Sequence, residues 1–257
     1  MQDVLKVEVR NGVATLTLDQ PAERNPLSTA MKDALIVALE SCATDASLGA
    51  VVITGNGSAF CAGGDLKRAA GATPTIEERA ASLAQLQRIP ELIASLPQVV
   101  IAAVNGSAMG AGLGLACMCD LRIASNAARF GAAFLRIGLS TDFGVAWTLP
   151  RIVGPARARR LLLLGETLTA SQALEIGLLT QMTEPLELMA AARGLAERFA
   201  NGPHTAVAAL KRNLSAADTM QLPEYLQLEA ANQMIALQSD DHRKALQAFL
   251  QSRKTSA

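Results

Sequence analysis

The sequence predicts an α/β fold whose last quarter is helical. Two β-branched apolar runs, Ala50–Thr54 and Val99–Val104, each lead through a glycine-rich segment into a helical pattern. Strand, loop and helix in that order are typical of parallel sheets. Past about Pro203 only helical patterns remain. These observations indicate a mixed α/β part followed by a helical one.

The first elements are a strand pair and a helix. Val4–Arg10 and Val13–Leu18 alternate well enough for two strands, and Asn11-Gly12 between them is a hairpin signal, so we predict an antiparallel pair. Ser28 is placed to cap a helix, which we expect to run through about Ser47.

The middle and end of the chain follow the same logic. Strand, glycine loop and helix repeat from Val51 and again from Val99, and Pro97 is expected to end the helix between them. The predicted C-terminal helices are Thr205–Ala216, Pro223–Leu237 and Asp241–Ser252. Each has an apolar face larger than one helix can bury alone.

Composition excludes several classes of protein. Of 257 residues 50% are hydrophobic, and 23 basic residues balance 23 acidic ones. The chain therefore lacks the net positive charge that is typical of proteins that bind nucleic acid or an anionic membrane. No apolar stretch reaches the ~20 residues of a spanning helix and no signal segment opens the chain, so we expect a cytoplasmic protein.

Cysteine and histidine usage argues against a metal site. The cysteines form no Cys-x-x-Cys pair, and the two histidines, His204 and His242, lie far along the chain from the glycine loops. We therefore predict no metal and no Ser-His-Asp hydrolase. Cys117 and Cys119 are expected to be buried.

The two glycine-rich segments, Ala59–Leu66 and Val104–Gly114, are the most informative feature. Glycine allows close approach of the main chain to a ligand, and two such loops on adjacent parallel strands could aim one amide each at a single oxygen, as in an oxyanion hole. Tight packing alone is the plainer interpretation. A dinucleotide fingerprint fails on glycine spacing and on the missing ribose-binding acid, and neither segment ends in the Gly-Lys-Ser/Thr of a phosphate loop.

Several motifs in order along the chain resemble the crotonase (enoyl-CoA hydratase/isomerase) superfamily. They are Arg24-Asn-Pro-Leu-Ser28, Phe60-Cys-Ala-Gly-Gly-Asp-Leu66, Val104-Asn-Gly-Ser-Ala-Met-Gly-Ala-Gly112, Cys119-Asp-Leu-Arg-Ile-Ala124, Arg129-Phe-Gly131, Gly165-Glu-Thr-Leu-Thr-Ala-Ser-Gln-Ala173, Gly177-Leu and Ala248-Phe-Leu-Gln-Ser-Arg-Lys254. The resemblance covers essentially the whole chain.

The resemblance implies an α/β crotonase-like spiral of ββα units over residues 1–202 and a C-terminal α-helical trimerisation region over residues 203–257. It implies a homotrimer or a dimer of trimers, an acyl-CoA thioester as substrate, and no cofactor beyond the coenzyme A of the substrate. It also implies a mobile helix over the substrate pocket in Ala72–Pro90.

The resemblance assigns the oxyanion-hole amides to Gly64 and Ala111. Arg24, Lys67 and Arg68 would meet phosphates, the backbone around Ala62 would hold the adenine, and Asp65 would brace the loop. Phe249 and Lys254 would reach a neighbouring subunit's coenzyme A. The full set expected to bind substrate or coenzyme A is Arg24, Ala62, Gly63, Asp65, Leu66, Lys67, Gly110, Phe134, Phe249 and Lys254.

The acidic residues distinguish branches of this family. Hydratases that the chain resembles use two glutamates, and their places are taken here by Gly114 and Phe134. Isomerase branches, including ring-1,2-epoxyphenylacetyl-CoA isomerase and some enoyl-CoA isomerases, carry an aspartate in a Gly-Leu-x-x-Asp-x-Gly setting, which Asp142 matches. Apolar neighbours in sequence should desolvate this carboxylate and raise its pKa. The alternative role for Asp142 is to cap a helix beginning near Phe143.

Three functions remain open. The first is an acyl-CoA isomerase that shifts a double bond or rearranges a ring epoxide, with Asp142 as the single base. The second is an enoyl-CoA hydratase or lyase that uses another acid. The third is a non-catalytic CoA-binding subunit, because both family glutamates are absent.

Overall fold

The computed structural model describes residues 4–66, 71 and 74–255, with side chains as far as residue 251. Its strands are β1 (Leu5–Arg10), β2 (Val13–Leu18), β3 (Ala50–Gly55), β4 (Ala59–Cys61), β5 (Val99–Val104), β6 (Ser107–Met109), β7 (Leu121–Ser125), β8 (Arg129–Gly131), β9 (Thr167–Thr169) and β10 (Gln181–Thr183). Its helices are α1 (Thr29–Thr44), α2 (Ile76–Ser95), α3 (Ala111–Met118), α4 (Val145–Val153), α5 (Pro155–Leu164), α6 (Ala170–Glu175), α7 (Leu188–Ala200), α8 (His204–Ala217), α9 (Leu222–Gln238) and α10 (Asp240–Thr255).

Within the described residues the strands form two sheets, and successive strands alternate between them from β3 to β8. The larger has the order β1-β2-β3-β5-β7-β10 and the smaller the order β4-β6-β8-β9. In each of the pairs β3/β4, β5/β6 and β7/β8 the first strand joins the larger sheet and the second joins the smaller. This arrangement confirms the predicted α/β spiral of ββα units.

The central strands are apolar because both of their faces are covered. Every residue of β3 and β5 is buried, and the two strands pair in parallel, as the sequence predicts. One face packs on α7 through Leu188, Ala192 and Ala196, and the other faces the main core. Continuous apolar runs of this kind are typical of parallel sheets covered on both sides.

The elements before β3 follow local signals. β1 and β2 form the predicted antiparallel hairpin, and the Ser28 hydroxyl caps α1 by accepting a hydrogen bond of 3.3 Å from the Met31 amide. The helix ends at Thr44, short of Ser47, because the Asp45 carboxylate accepts hydrogen bonds from the Ser47 amide and hydroxyl at 2.9 and 2.6 Å. That local turn competes with another helical turn.

The second helix, α2, contains Pro90 and, as predicted, ends before Pro97. Of the segment Ala72–Pro90, which is expected to be a mobile helix, residues 72 and 73 lie outside the described residues, and its mobility stays a prediction. Ile89 and Ile93 are buried on the side of α2 that packs on α1. Burial of this apolar face outweighs the hydrogen bond lost at the proline.

The C-terminal helices have the predicted positions and carry exposed apolar side chains, among them Leu210, Leu214 and Phe249. Their anchor to the spiral includes the Lys211 ammonium, which lies 2.6 Å from the Asp120 carboxylate. Asp120 also accepts a hydrogen bond from the Val100 amide at 2.7 Å. In the described part of the chain no helix is long and apolar enough to cross a membrane.

Asn25 fastens the segment between β2 and α1 to the core. Its side chain is fully buried. The amide nitrogen donates to the Asn56 and Ala59 carbonyls at 2.9 and 2.8 Å, and the amide oxygen accepts from the Gln20 backbone at 2.8 Å. Its φ of 54° is one that asparagine tolerates better than most residues.

We predict that Asn25→Ala lowers the free energy of unfolding by about 3 kcal/mol or more, because it leaves buried backbone groups without partners. Urea unfolding checks this. Asn126→Ala is the matched control, since Asn126 makes an exposed side-chain hydrogen bond to Glu184 and should cost under about 1 kcal/mol. Equal losses in the two variants would contradict the prediction.

Candidate active site

The first glycine loop follows β4 and is fixed by the segment before α1. The Ala62 amide donates to the Arg24 carbonyl at 2.9 Å, and the Leu27 amide donates to the Gly63 carbonyl at 2.8 Å. Leu27 and Gly64 form an isolated parallel bridge. A side chain on Gly64 would meet no atom of the described residues within 4 Å, so among these residues open space lies beside it.

The second glycine loop leads from β6 into α3. Gly110 has a φ of 53° and a ψ of −121°, which a residue with a side chain adopts only at a cost. Its amide donates to the Gly131 carbonyl at 2.9 Å. Ala111 is then the first helical residue, so its N–H has no partner within the helix. It has no positive φ, which meets the condition for its amide to donate to a ligand.

The two loops touch main chain to main chain. A Cβ on Gly63 would lie 2.6 Å from the Met109 carbonyl oxygen and 3.3 Å from the Ala111 nitrogen. A Cβ on Gly112 would lie 2.2 Å from the Cys61 carbonyl oxygen. Only glycine fits at either place, and the contact brings the loops that carry the Gly64 and Ala111 amides together.

Asp142 lies in the loop between the 3-10 helix Ala133–Ile137 and α4. It does not cap α4: the N-cap is Gly144, and no side chain accepts a hydrogen bond there. The helix starts two residues later than expected because Phe143 has a φ of 51° and Gly144 a φ of 67°, outside the helical range. The capping alternative is therefore wrong.

Asp142 is half-buried, and one of its two carboxylate oxygens has no hydrogen-bond partner among the described residues. This oxygen, Oδ1, is shielded from solvent. Burial raises the pKa of this carboxyl above its ordinary 3.8, and a hydrogen bond from its own backbone opposes the rise. The direction agrees with the sequence-based expectation. A half-buried carboxylate with a raised pKa and an unused oxygen is the state expected of a general base.

The charge of Asp142 acts on a thiol in the first loop. Burial raises the pKa of the Cys61 thiol to about 12, the Gly63 backbone opposes this, and the charge of Asp142 adds to it. Cys117 and Cys119 are buried as predicted, and burial raises the pKa of each to about 12 as well. These thiols are protonated at neutral pH and act as small apolar groups.

Gly114, which the resemblance assigns to the place of a hydratase glutamate, is packed against Phe143. A Cβ on Gly114 would lie 2.8 Å from the Phe143 Cβ and 3.2 Å from its carbonyl oxygen. Phe143 is itself buried, with a backbone conformation that is rare for a bulky residue. The residue that follows the candidate base thus occupies the space that a side chain at position 114 would need. No sequence pattern identified Phe143, because its φ is set by this contact.

The remaining predicted binding residues lie around the two loops. Arg24 is exposed, and its carbonyl accepts a hydrogen bond from the Ala62 amide. Leu66 is 53% exposed, and Asp65, which follows Gly64, is half-buried. Phe134 is buried, and its ring lies 3.7 Å from where a Gly110 Cβ would be.

Three predicted binding residues stay predictions. Phe249 is 54% exposed on α10, which packs on α8 and α9, so its role at a neighbouring subunit stays a prediction. Lys67, with Arg68, lies outside the described residues, as does the side chain of Lys254.

Two cavities differ in their relation to this site. One of about 410 Å³ is lined by Phe134, Leu135, Leu139, Ser140, Thr141, Arg159, Leu162 and Leu163, and it borders the loop that carries Asp142. A groove of about 670 Å³ between β1 and α1 is larger but contains none of the predicted site residues. Only the smaller cavity belongs to the candidate site.

Comparison with known proteins gives the same family and fold along nearly the whole chain. Residues 8–256 match the family model described as enoyl-CoA hydratase/isomerase. A Rhodobacter capsulatus protein named probable enoyl-CoA hydratase is 39% identical over 97% of this chain and 95% of its own. The 1,2-epoxyphenylacetyl-CoA isomerase of Escherichia coli K12 is 36% identical over 98% of this chain and 97% of its own. The crystal structure of an enoyl-CoA hydratase from Bacillus anthracis has a TM-score of 0.92 at 31% identity and covers 97% of this chain and 96% of that one.

We predict that Asp142→Asn is more stable than the parent protein at pH 7. As the pH rises above 3.8, the Asp142 carboxyl ionises in the unfolded chain before it ionises in the folded protein. Ionisation therefore lowers the free energy of unfolding until the pH passes the raised folded-state pKa. The stability difference should shrink as the pH falls towards 4. Unfolding measured from pH 4 to 8 checks this, and a difference that is independent of pH would contradict it.

Gly114→Ala should destabilise the protein by about 1–3 kcal/mol, because Phe143 must shift to admit a methyl group. The control is Gly194→Ala in α7, where a Cβ would meet nothing within 4 Å and should stabilise by about 0.5–1 kcal/mol. Thermal and urea unfolding of both variants provide the measurement. An unchanged Gly114→Ala protein would mean that Phe143 is free to move.

Proposed function

The chain belongs to the enoyl-CoA hydratase/isomerase family, and from that premise we propose that it isomerises acyl-CoA thioesters with Asp142 as its base. The observation that carries the proposal is a half-buried carboxylate with one unpartnered, shielded oxygen, next in the chain to Phe143, which packs on Gly114 at the end of the second glycine loop. The positions of the two hydratase glutamates are held by Gly114 and Phe134.

In the proposed mechanism the thioester oxygen lies in the open space beside Gly64 and accepts hydrogen bonds from the Gly64 and Ala111 amides. Negative charge collects on this oxygen when a proton leaves the carbon chain. Each preorganised donor to such an oxygen is worth about 3 kcal/mol in comparable sites. The start of α3 adds the partial positive charge of its first turn.

Asp142 removes a proton next to the thioester or next to the double bond, which leaves a dienolate. The same carboxyl then returns the proton to the carbon at the other end of the conjugated system, and the double bond moves. Atoms and charge balance without a second reactant, so one acid suffices. Hydration would also need a positioned water and a second proton-transfer group.

A ring epoxide is a second substrate type for the same parts. The likeness to the Escherichia coli 1,2-epoxyphenylacetyl-CoA isomerase favours it. The buried Phe134 beside Gly110 would offer an aromatic surface near the reacting atoms. Asp142 is the proposed base for both substrate types. Turnover of an enoyl-CoA or of a ring-epoxide-CoA would tell which of the two the protein uses.

An enoyl-CoA hydratase that uses a different acid is the alternative from within the family. The name of the Rhodobacter capsulatus relative favours it. This reaction would give a 3-hydroxyacyl-CoA from a 2-enoyl-CoA, with oxygen taken from solvent.

We also propose that the exposed apolar faces of α8 to α10 build a trimer. Leu210, Leu214 and Phe249 are each more than half exposed, and such clustered exposure is typical of subunit contacts. In this assembly Phe249 and Lys254 would approach a neighbour's coenzyme A. Arg24 and the main chain of Ala62 would contact the coenzyme A of their own subunit.

We predict that Asp142→Asn lowers turnover by about 10²-fold or more, since general acid-base groups contribute 10²–10⁴-fold. The measurement is proton NMR in deuterated water with 2-enoyl-, 3-enoyl- and ring-epoxide-CoA substrates. Parent protein should move the double bond or exchange protons for deuterium, and the variant should do neither.

Asp33→Asn, an exposed carboxylate on α1, is the control and should keep full turnover. Unchanged double-bond migration in Asp142→Asn would exclude Asp142 as the base. A 3-hydroxyacyl product from both proteins would establish the hydratase instead.

A further inference from the structure

The cavity of about 410 Å³ has an apolar wall and one charged side chain. It lies between the segment 134–141 and one face of α5. Arg159, Leu162 and Leu163 line it together because residues three and four apart share a helix face. Phe134, Leu135 and Leu139 complete the apolar part.

Arg159 is the one cationic residue in this lining, and it has no acidic partner within 4 Å in the described part of the chain. Neighbouring arginines are already engaged. Arg160 forms an ion pair with Glu166 at 3.0 Å, and Arg136 donates to the Gly165 carbonyl at 2.8 Å. The guanidinium of Arg159 is therefore available to an anion that enters the cavity.

Two elements of the cavity lining adjoin the site. Phe134 lines the cavity and also lies beside Gly110, the residue before the Ala111 amide. Ser140 and Thr141 line it and directly precede Asp142. The cavity therefore borders both the second glycine loop and the loop of the candidate base.

We propose that the cavity holds the distal end of the acyl chain and that Arg159 binds a carboxylate there, so that the substrate is an ω-carboxyacyl-CoA thioester. This inference rests on the proposed acyl-CoA site. The apolar wall suits the methylene carbons, and the planar guanidinium can bind a terminal carboxylate through two parallel hydrogen bonds. A methyl-terminated chain of equal length makes the same apolar contacts and leaves the arginine in water.

The test is equilibrium binding of saturated thioesters, which cannot react, so that it does not depend on turnover. Succinyl-, adipyl- and suberyl-CoA are compared with butyryl-, hexanoyl- and octanoyl-CoA by calorimetry. Each pair has the same number of acyl carbons. The three chain lengths test how far from the thioester a terminal carboxylate must lie to reach Arg159.

At the length that reaches Arg159, the parent protein should prefer the carboxylated member by about tenfold or more, the usual value of a charge-assisted hydrogen bond. Arg159→Met should lose this preference and keep its affinity for the methyl-terminated partner. Arg157→Met is the matched control: Arg157 is exposed on the same helix but outside the lining, and the preference should be retained.

An equal loss of affinity for both members in Arg159→Met would overturn the proposal, because Arg159 would then serve coenzyme A or the fold. Absence of any preference in the parent protein at all three lengths would overturn it as well. Failure of the isomerase mechanism is seen separately, as turnover that persists in Asp142→Asn. The binding preference would be unaffected by that result.

Discussion

The site depends on the close main-chain contact between the two glycine loops. A side chain on Gly63 or on Gly112 would overlap a carbonyl of the opposite loop at 2.6 or 2.2 Å. Parallel pairing of β3 with β5 and of β4 with β6 brings the loops to this contact, and Asn25 ties a third segment to them. The amides of Gly64 and Ala111 are thus preorganised by covalent and sheet geometry. Such donors need no reorganisation when charge develops on a bound oxygen.

Gly114 and the half-buried Asp142 belong to one structural arrangement. Without a side chain at Gly114, Phe143 can pack on α3 with its backbone in the left-handed region. That conformation turns the chain before α4, so that Asp142 does not cap the helix. One oxygen of its carboxylate is left without a partner among the described residues, and burial raises its pKa. Strain of this kind is commonly stored where a functional group must be held.

Chemistry and specificity are carried by different parts of the molecule. The reacting end of the substrate would meet the rigid backbone of the two sheets and α3. The distal end would meet the segment 134–141 and α5, whose lining side chains can vary without disturbing the loops. This separation gives a physical reason why proteins that share the fold and the glycine loops can carry different names for their reactions.

The residue pattern predicted β1, β2, β3 and β5, the hairpin, the Ser28 cap, the helix end before Pro97, the C-terminal helices and the two glycine loops, because each depends on neighbouring residues and a regular apolar period. Motif resemblance added the family and the candidate residue Asp142. The short strands of the smaller sheet, the late start of α4 at the Gly144 cap and the cavity lined by Arg159 came from the tertiary structure alone. These features depend on contacts such as Gly114 with Phe143, between residues far apart along the chain, whose packing free energy overrides local preference.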